Sequence, residues 1–407
     1  MAEPRAPVPR HVLIPALGAA QILGWGTTFY LPSVLGPPMG ASLGLGQDLV
    51  FGGVTVMYLV GAALAPRFGR MIDARGARPV MAAGCLVAAA ALVLLALSRG
   101  LAGYVAAWVI IGVMLPMTLG QAGYAAIAQA VPIQGARRAM TLMTLMTGVT
   151  STIAWPATAL LEARLGWRGT CLAFAAGHVL LALPLYLAVL PRAPLAREGE
   201  GEGARPRGAV ALPPGRFVLL VLALGLPNAV SSGLSLVSIA LLGALGHAPA
   251  AAIAIAALHG PAQIVARMVD LALGPRTTAM ATGLFSAVLL PLSLLPLLAG
   301  GQAGWASLFT LAFGVSSGLM TVVRAALPLE LAGAAGYGTL TGRLALPGNV
   351  MIAAAPPLFA AILAAGGPLA AAGLAGALGL VALAALVLLA LSGAGRSSPA
   401  STRSGRS

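Results

Sequence analysis

Lysine is absent from this chain of 407 residues, and its basic charge rests on 23 arginines. Acids are scarcer, nine in all, so only 8% of residues are charged and the formal net charge is +14. A water-soluble domain carries roughly 25% charged residues. A chain this poor in charge, 59% hydrophobic and with a mean hydropathy of +0.97, has lipid as its main solvent. The two cysteines, Cys85 and Cys171, each sit in an apolar run, which excludes a disulfide framework and a cysteine metal site. The four histidines, His11, His178, His247 and His259, lie on different segments. With so few acids they form no catalytic constellation, so neither an enzyme, a metal centre nor a bound cofactor is expected. No soluble domain is present to offer the arginines to nucleic acid.

What the chain has in abundance is apolar length. A membrane span needs about 20 apolar residues, and twelve such runs are read at 12–35, 48–68, 79–98, 102–130, 139–163, 169–190, 217–245, 249–273, 277–299, 303–331, 340–365 and 368–392. This predicts an all-α membrane protein of twelve transmembrane helices in two six-helix halves, 1–190 and 217–392. Between them, 191–216 is rich in Gly, Pro, Arg and Glu and reads as a linker. The tail, 393–407, is Ser, Gly and Arg and is expected to be disordered. No convincing cleavage site precedes the first run, which is expected to be a retained helix.

The densest charge lies between the second and third runs, where Arg67, Arg70, Asp73, Arg75 and Arg78 are interleaved with Gly69 and Gly76. Such a cluster belongs at a membrane face. Its spacing, G-x-x-x-D-x-x-G-x-R, resembles the loop between helices 2 and 3 of the major facilitator superfamily. Ala74 and Ala77 stand where that family usually carries basic residues, and Arg75 and Arg78 supply charge nearby. The resemblance implies a gating loop. Its acid latches the two halves through basic residues (Arg75, Arg78, Arg137 or Arg138 here) or through a helix N-terminus. Within the chain, Arg70-Met71-Ile72-Asp73 recurs as Arg267-Met268-Val269-Asp270, 197 residues later, so Arg267 and Asp270 join the expected gate. Trp155-Pro156 and Ala355-Pro356, and Met117-Thr118 and Met320-Thr321, recur at similar offsets. Carriers built from such repeats hold substrate near the midplane, between the repeats.

Arginine placement orients the chain. With the N-terminus inside, only Arg99, Arg164 and Arg168 face outward, so both termini are expected in the cytoplasm of a bacterial-type plasma membrane. In the superfamily, helices 1, 4, 7 and 10 line the cavity. On those runs the polar residues share faces: Gln21, Trp25 and Thr28 with Tyr30 nearby; Gln121 and Tyr124; Asn228 with Ser231 or Ser232, Ser235 and Ser238; Ser317, Thr321 and Arg324. These are the candidate substrate residues; hydrogen bonding between helices is the alternative for the Ser and Thr positions. Arg324 offers a permanent planar cation suited to a carboxylate or oxyanion. Its place roughly 30 Å along helix 10, at 1.5 Å per residue, also suits an anchor at the membrane edge or a pair with Glu330.

Val265-Ala266-Arg267 and Gly24-Trp25-Gly26 look like stretches of the monocarboxylate and oxalate–formate branch, in which an arginine of helix 8 is functional. Its fuller acidic Gly-Trp signature is missing here. His178 and His259 are the candidate proton carriers, since histidine titrates near neutrality. The resulting expectation is a secondary transporter working by alternating access on a small molecule, best an organic anion, coupled to an ion such as the proton and acting as a monomer. The alternative is an efflux carrier for drugs or toxic molecules. A receptor or sensor would need a folded signalling domain, which linker and tail are too short and polar to supply.

Overall fold

The computed structural model describes residues 9–192, 212–300 and 302–394. Most of the expected linker and tail lies outside these residues, as do Arg5, Arg396, Arg403 and Arg406. Every regular element among the described residues is a helix. Lipid offers no partner for backbone N–H and C=O groups, and a helix pairs them within itself. Ten stretches are long and apolar enough to cross a membrane.

In chain order these are α1 (Arg10–Gly26) with α2 (Leu31–Leu43), α3 (Gln47–Arg75), α4 (Ala77–Leu97), and α5 (Leu101–Thr118) with α6 (Gln121–Ala130). The shorter α7 (Ile133–Gly148), outside those ten, precedes the next, α8 (Thr150–Gly177), which passes through a π-helical turn, His178–Ala182, into α9 (Leu183–Val189). After the gap follow α10 (Pro214–Ala244), α11 (Pro249–Ala257) with α12 (His259–Leu273), α13 (Ala279–Leu294), α14 (Ala303–Ala332) and α15 (Tyr337–Ala394). Two of these are pairs of helices meeting at a left-handed glycine: Gly166, φ +66°, inside α8 and Gly367, φ +74°, inside α15. Only glycine adopts such an angle without strain.

Four runs expected to be single helices are each two. In 12–35, Thr27 and Thr28 both bond to the Gly24 carbonyl (3.4 and 2.6 Å) and Pro32 brings no N–H, so the helix opens between Gly26 and Leu31. In 102–130, Pro116 weakens the ladder, Leu119 is extended and Gly120 takes φ +49°. In 249–273, Pro261 withholds the N–H that would pair one turn back, and the helices part at Leu258. The run at 139–163 starts earlier, at Ile133, because Pro132 is suited to precede a helix, and it parts at Val149 into α7 and α8.

The leading segment (9–192) and the trailing segment (212–394) each build their own apolar clusters. One cluster is shared: Leu13, Ile72 and Met140 pack with Ala325, Leu329 and Tyr337. It lies at the end of the molecule that carries the 67–78 loop, hereafter the loop end. Where both surroundings are apolar, close packing drives association, which favours small residues.

Candidate functional site

Asp73, near the end of α3, accepts the N–H groups of Gly338 (2.9 Å) and Thr339 (2.6 Å) in the first turn of α15. A carboxylate there satisfies two unpaired donors and sits at the positive end of the helix dipole. The approach depends on glycine: a Cβ on Gly69 would strike the Gly338 carbonyl oxygen, and one on Gly342 would strike Ala65. Of the partners expected for Asp73, the helix N-terminus is the one found, and the four arginines are not. Arg75 is exposed beside the Met71 sulfur. Arg78 donates to the Leu187 carbonyl at 2.6 Å, near the end of α9. Gly76, φ +84°, turns α3 into α4, and Arg70 is exposed.

Arg137 in α7 crosses to the trailing segment instead. It pairs with Asp270 of α12 at 2.6 Å, the sole salt bridge among the described residues, and also bonds to Thr282 Oγ1 (2.7 Å) and the Thr277 carbonyl. Thr282 donates a further bond to Asp270. Arg267, only 7% exposed, reaches the carbonyls of Gly318 and Thr144, Gln263 Oε1 and Thr321 Oγ1, and has no carboxylate partner among the described residues. Among those residues, every hydrogen bond between the two segments belongs to these groups at the loop end.

Further in, a pocket of about 560 Å³, counted to its open mouth, is lined by Gln121, Tyr124, Asn228 and Arg324 of the expected residues. Arg324 is exposed to it, donates no hydrogen bond within the described residues, and faces no lining carboxylate. The anticipated pair with Glu330 is absent because Glu330 accepts the N–H groups of Ala279 (2.6 Å) and Met280 (3.3 Å) that open α13. Asn228 donates from Nδ2 to the Leu224 carbonyl (2.5 Å), which leaves its side-chain oxygen without a donor among the described residues. Tyr337, Thr341 and Asn349 of α15 complete the polar lining. Sequence reading missed them by seeking the cavity on four helices; Asn349, an amide in a long apolar run, was the available signal.

Other expected residues lie elsewhere. Gln21 is fully buried: Nε2 donates to the Thr118 carbonyl (2.5 Å) and Oε1 accepts the Gly120 N–H (3.1 Å), which repairs the break between α5 and α6. Gln129 does the same between α3 and α4, bonding to the Ile72 carbonyl (2.9 Å) and the Ala77 N–H (2.8 Å). Thr28 is buried at its own helix break. Trp25 and Tyr30 belong to an aromatic chain through Phe29 to Trp155. Ser317 and Thr321 turn to α12, where Gln263 joins Ser317 (3.0 Å) and His259 (2.8 Å). His178 is buried against Thr27 at 2.8 Å. Neither histidine lines the pocket. No group of three or more His, Cys, Asp or Glu suited to a metal occurs among the described residues.

The model of the Major Facilitator Superfamily matches residues 17–342. Among solved structures, the human organic anion transporter MFSD10 (TETRAN) aligns with a TM-score of 0.69 at 18% identity, over 93% of this chain and 99% of that one. The transporter FucP in the outward conformation aligns with a TM-score of 0.71 at 14% identity, over 94% and 99%. A point variant of the E. coli fucose:proton symporter FucP aligns with a TM-score of 0.71 at 15% identity, over 93% and 99%. No curated protein sequence matches the chain.

Proposed function

The chain belongs to the Major Facilitator Superfamily, and from that premise we propose that it moves a small organic anion across the bilayer by alternating access, with Arg324 as the anion's partner. The observation that carries this reading is the pocket's charge: one guanidinium without a protein partner among the described residues, amides and hydroxyls around it, and no carboxylate in the lining. Exposed to the pocket and without a counter-ion among the described residues, the planar guanidinium of Arg324 suits a carboxylate or oxyanion. The reading rests on Arg324, not on the cargo of a neighbour that shares the fold at 18% identity. Gln121, Tyr124 and Asn228 are assigned to orient the cargo; Leu224, Leu344 and Ile352 suit an apolar substituent.

Counting a reversal at Gly367 and one at Gly166, with α7 joined to the front of α8 as one span, raises ten stretches to twelve spans, two sets of six on either side of 191–216. The loop end, richest in arginine, is assigned to the cytoplasm, with both termini there and the inner membrane as the location. Cross-segment bonding confined to that end supports an outward-facing state, in which Asp73, Arg137 and Asp270 hold the cytoplasmic side shut. One chain containing both sets suffices as a monomer.

The test is uptake into sealed vesicles with labelled carboxylates, inorganic oxyanions and lipophilic cations, with and without an imposed proton gradient. Carboxylate uptake that Arg324→Gln reduces at least about 30-fold is expected, since truncating a charged hydrogen-bond partner costs about 2–5 kcal/mol. The variant must keep the wild-type unfolding temperature. Uptake confined to lipophilic cations, untouched by Arg324→Gln, replaces this reading with efflux of hydrophobic compounds.

A further inference from the structure

A second concavity lies on the leading segment at the loop end, between α1 and α7. It encloses about 970 Å³ to its open mouth, and its walls include His11, Ile14, Pro15, Arg138, Leu142 and Met146. On α1 these residues fall at i, i+3 and i+4, and on α7 at i, i+4 and i+8, so each wall is one helix face. The walls are graded. His11 and Arg138 stand toward the starts of their helices, while the residues beyond are apolar. From Arg138 to Met146 the apolar wall runs about 12 Å inward at 1.5 Å per residue.

Arg138 and its neighbour differ sharply. Arg137 has three partners across the gate; Arg138 is exposed and donates no hydrogen bond among the described residues. Two helix N-termini, of α1 and α7, converge on the same mouth, and both carry positive partial charge. No carboxylate lines the groove among the described residues. A cationic mouth above an apolar trough, at the end of the spans, matches a molecule with an anionic head and a hydrocarbon tail.

We infer that this groove is a binding site for one anionic phospholipid, its phosphate on Arg138 and His11 and an acyl chain along Ile14, Pro15, Leu142 and Met146. The site is separate from the Arg324 pocket and stands whether or not that pocket takes an anion.

Native mass spectrometry of the full chain, released from detergent after addition of phosphatidylglycerol or phosphatidylcholine, tests it. Wild type should retain one phosphatidylglycerol under conditions that strip phosphatidylcholine. Arg138→Gln should lower that retention about tenfold, the loss of one charge-assisted hydrogen bond. Met146→Trp, which fills the trough and leaves the charges in place, should lower it too. Arg67→Gln, an exposed arginine at the same end but outside the groove, should leave it unchanged. Equal retention in all variants, or equal losses from Arg138→Gln and Arg67→Gln, overturns the site in favour of diffuse attraction to the headgroup layer. Complete displacement by millimolar inorganic phosphate overturns the lipid assignment, because the anion alone would then account for binding.

Discussion

Arg70-Met71-Ile72-Asp73 and Arg267-Met268-Val269-Asp270 repeat one pattern, and the structure uses the two copies differently. In the first, the arginine is exposed and the half-buried acid is satisfied by two backbone N–H groups. In the second, arginine and acid are both buried, and Asp270, 3% exposed, takes a full counter-charge from Arg137. The difference follows depth. A carboxylate near water needs little more than donors and a helix dipole, whereas one removed from water requires an opposite charge to offset lost hydration. Each solution sets its own demand on the facing helix. Backbone capping requires bare glycine at 69 and 338, because the two main chains must touch. The ion pair spans a wider gap through a long side chain. In both copies, as at Glu330, the acid is consumed at the loop end, which leaves Arg324 without an internal counter-ion among the described residues.

The largest effect is expected at the deeper copy. Arg137→Ala leaves Asp270 buried with Thr282 as its side-chain donor, and breaking a buried pair from one side costs about 3 kcal/mol or more. Unfolding in detergent should register that loss, and adding Asp270→Asn should recover part of it, since the double variant no longer buries an unpaired charge. If the double variant is as unstable as the sum of its singles, the pair is not the stabilising unit.

A smaller effect tests the glycine demand of the shallow copy. Gly69→Ala places a methyl group against the Gly338 carbonyl, and overpacking of this kind costs about 1–3 kcal/mol. That strain is relieved by separating α3 from α15. Spin labels at Ala74 and Ala335 should therefore report a longer-distance population in the variant than in wild type. An unchanged distance distribution would mean that the helices shift locally and the close approach is not needed to shut this end.

Spans and the Asp73 loop were legible because each rests on a local signal: apolar length, and charge that lipid will not accept. Helix breaks were less so. Pro32, Pro116 and Pro261 were visible, but a proline bends one helix and parts another according to its neighbours, and the hydroxyls of Thr27 and Thr28 tipped the first case. Amides were the hardest to place. Gln21 and Gln121 look alike as lone polar residues in apolar runs; one closes a broken backbone and the other lines the pocket. That depends on where a different helix breaks, which no spacing around Gln21 encodes. Asp270 illustrates the same limit, since its partner lies 133 residues away.

The smallest effect is expected from Asp73→Asn. The amide keeps one oxygen for one of the two N–H groups and turns its own NH2 toward the other. One net hydrogen bond, worth about 0.5–1.5 kcal/mol, and the carboxylate's interaction with the helix dipole, about 0.3–1 kcal/mol, are lost together. Because the site is half-buried, water can take up the freed N–H, so the total should stay near about 1 kcal/mol and below the cost of Arg137→Ala. Unfolding of the two variants side by side, at low and high salt, measures the gap. Salt should shrink the loss at Asp73, where the charge is partly in water, and leave the loss at Arg137 nearly unchanged. A loss at Asp73 equal to that at Arg137 would mean that depth does not set the difference, and that backbone capping by a carboxylate holds this end as firmly as a buried ion pair does.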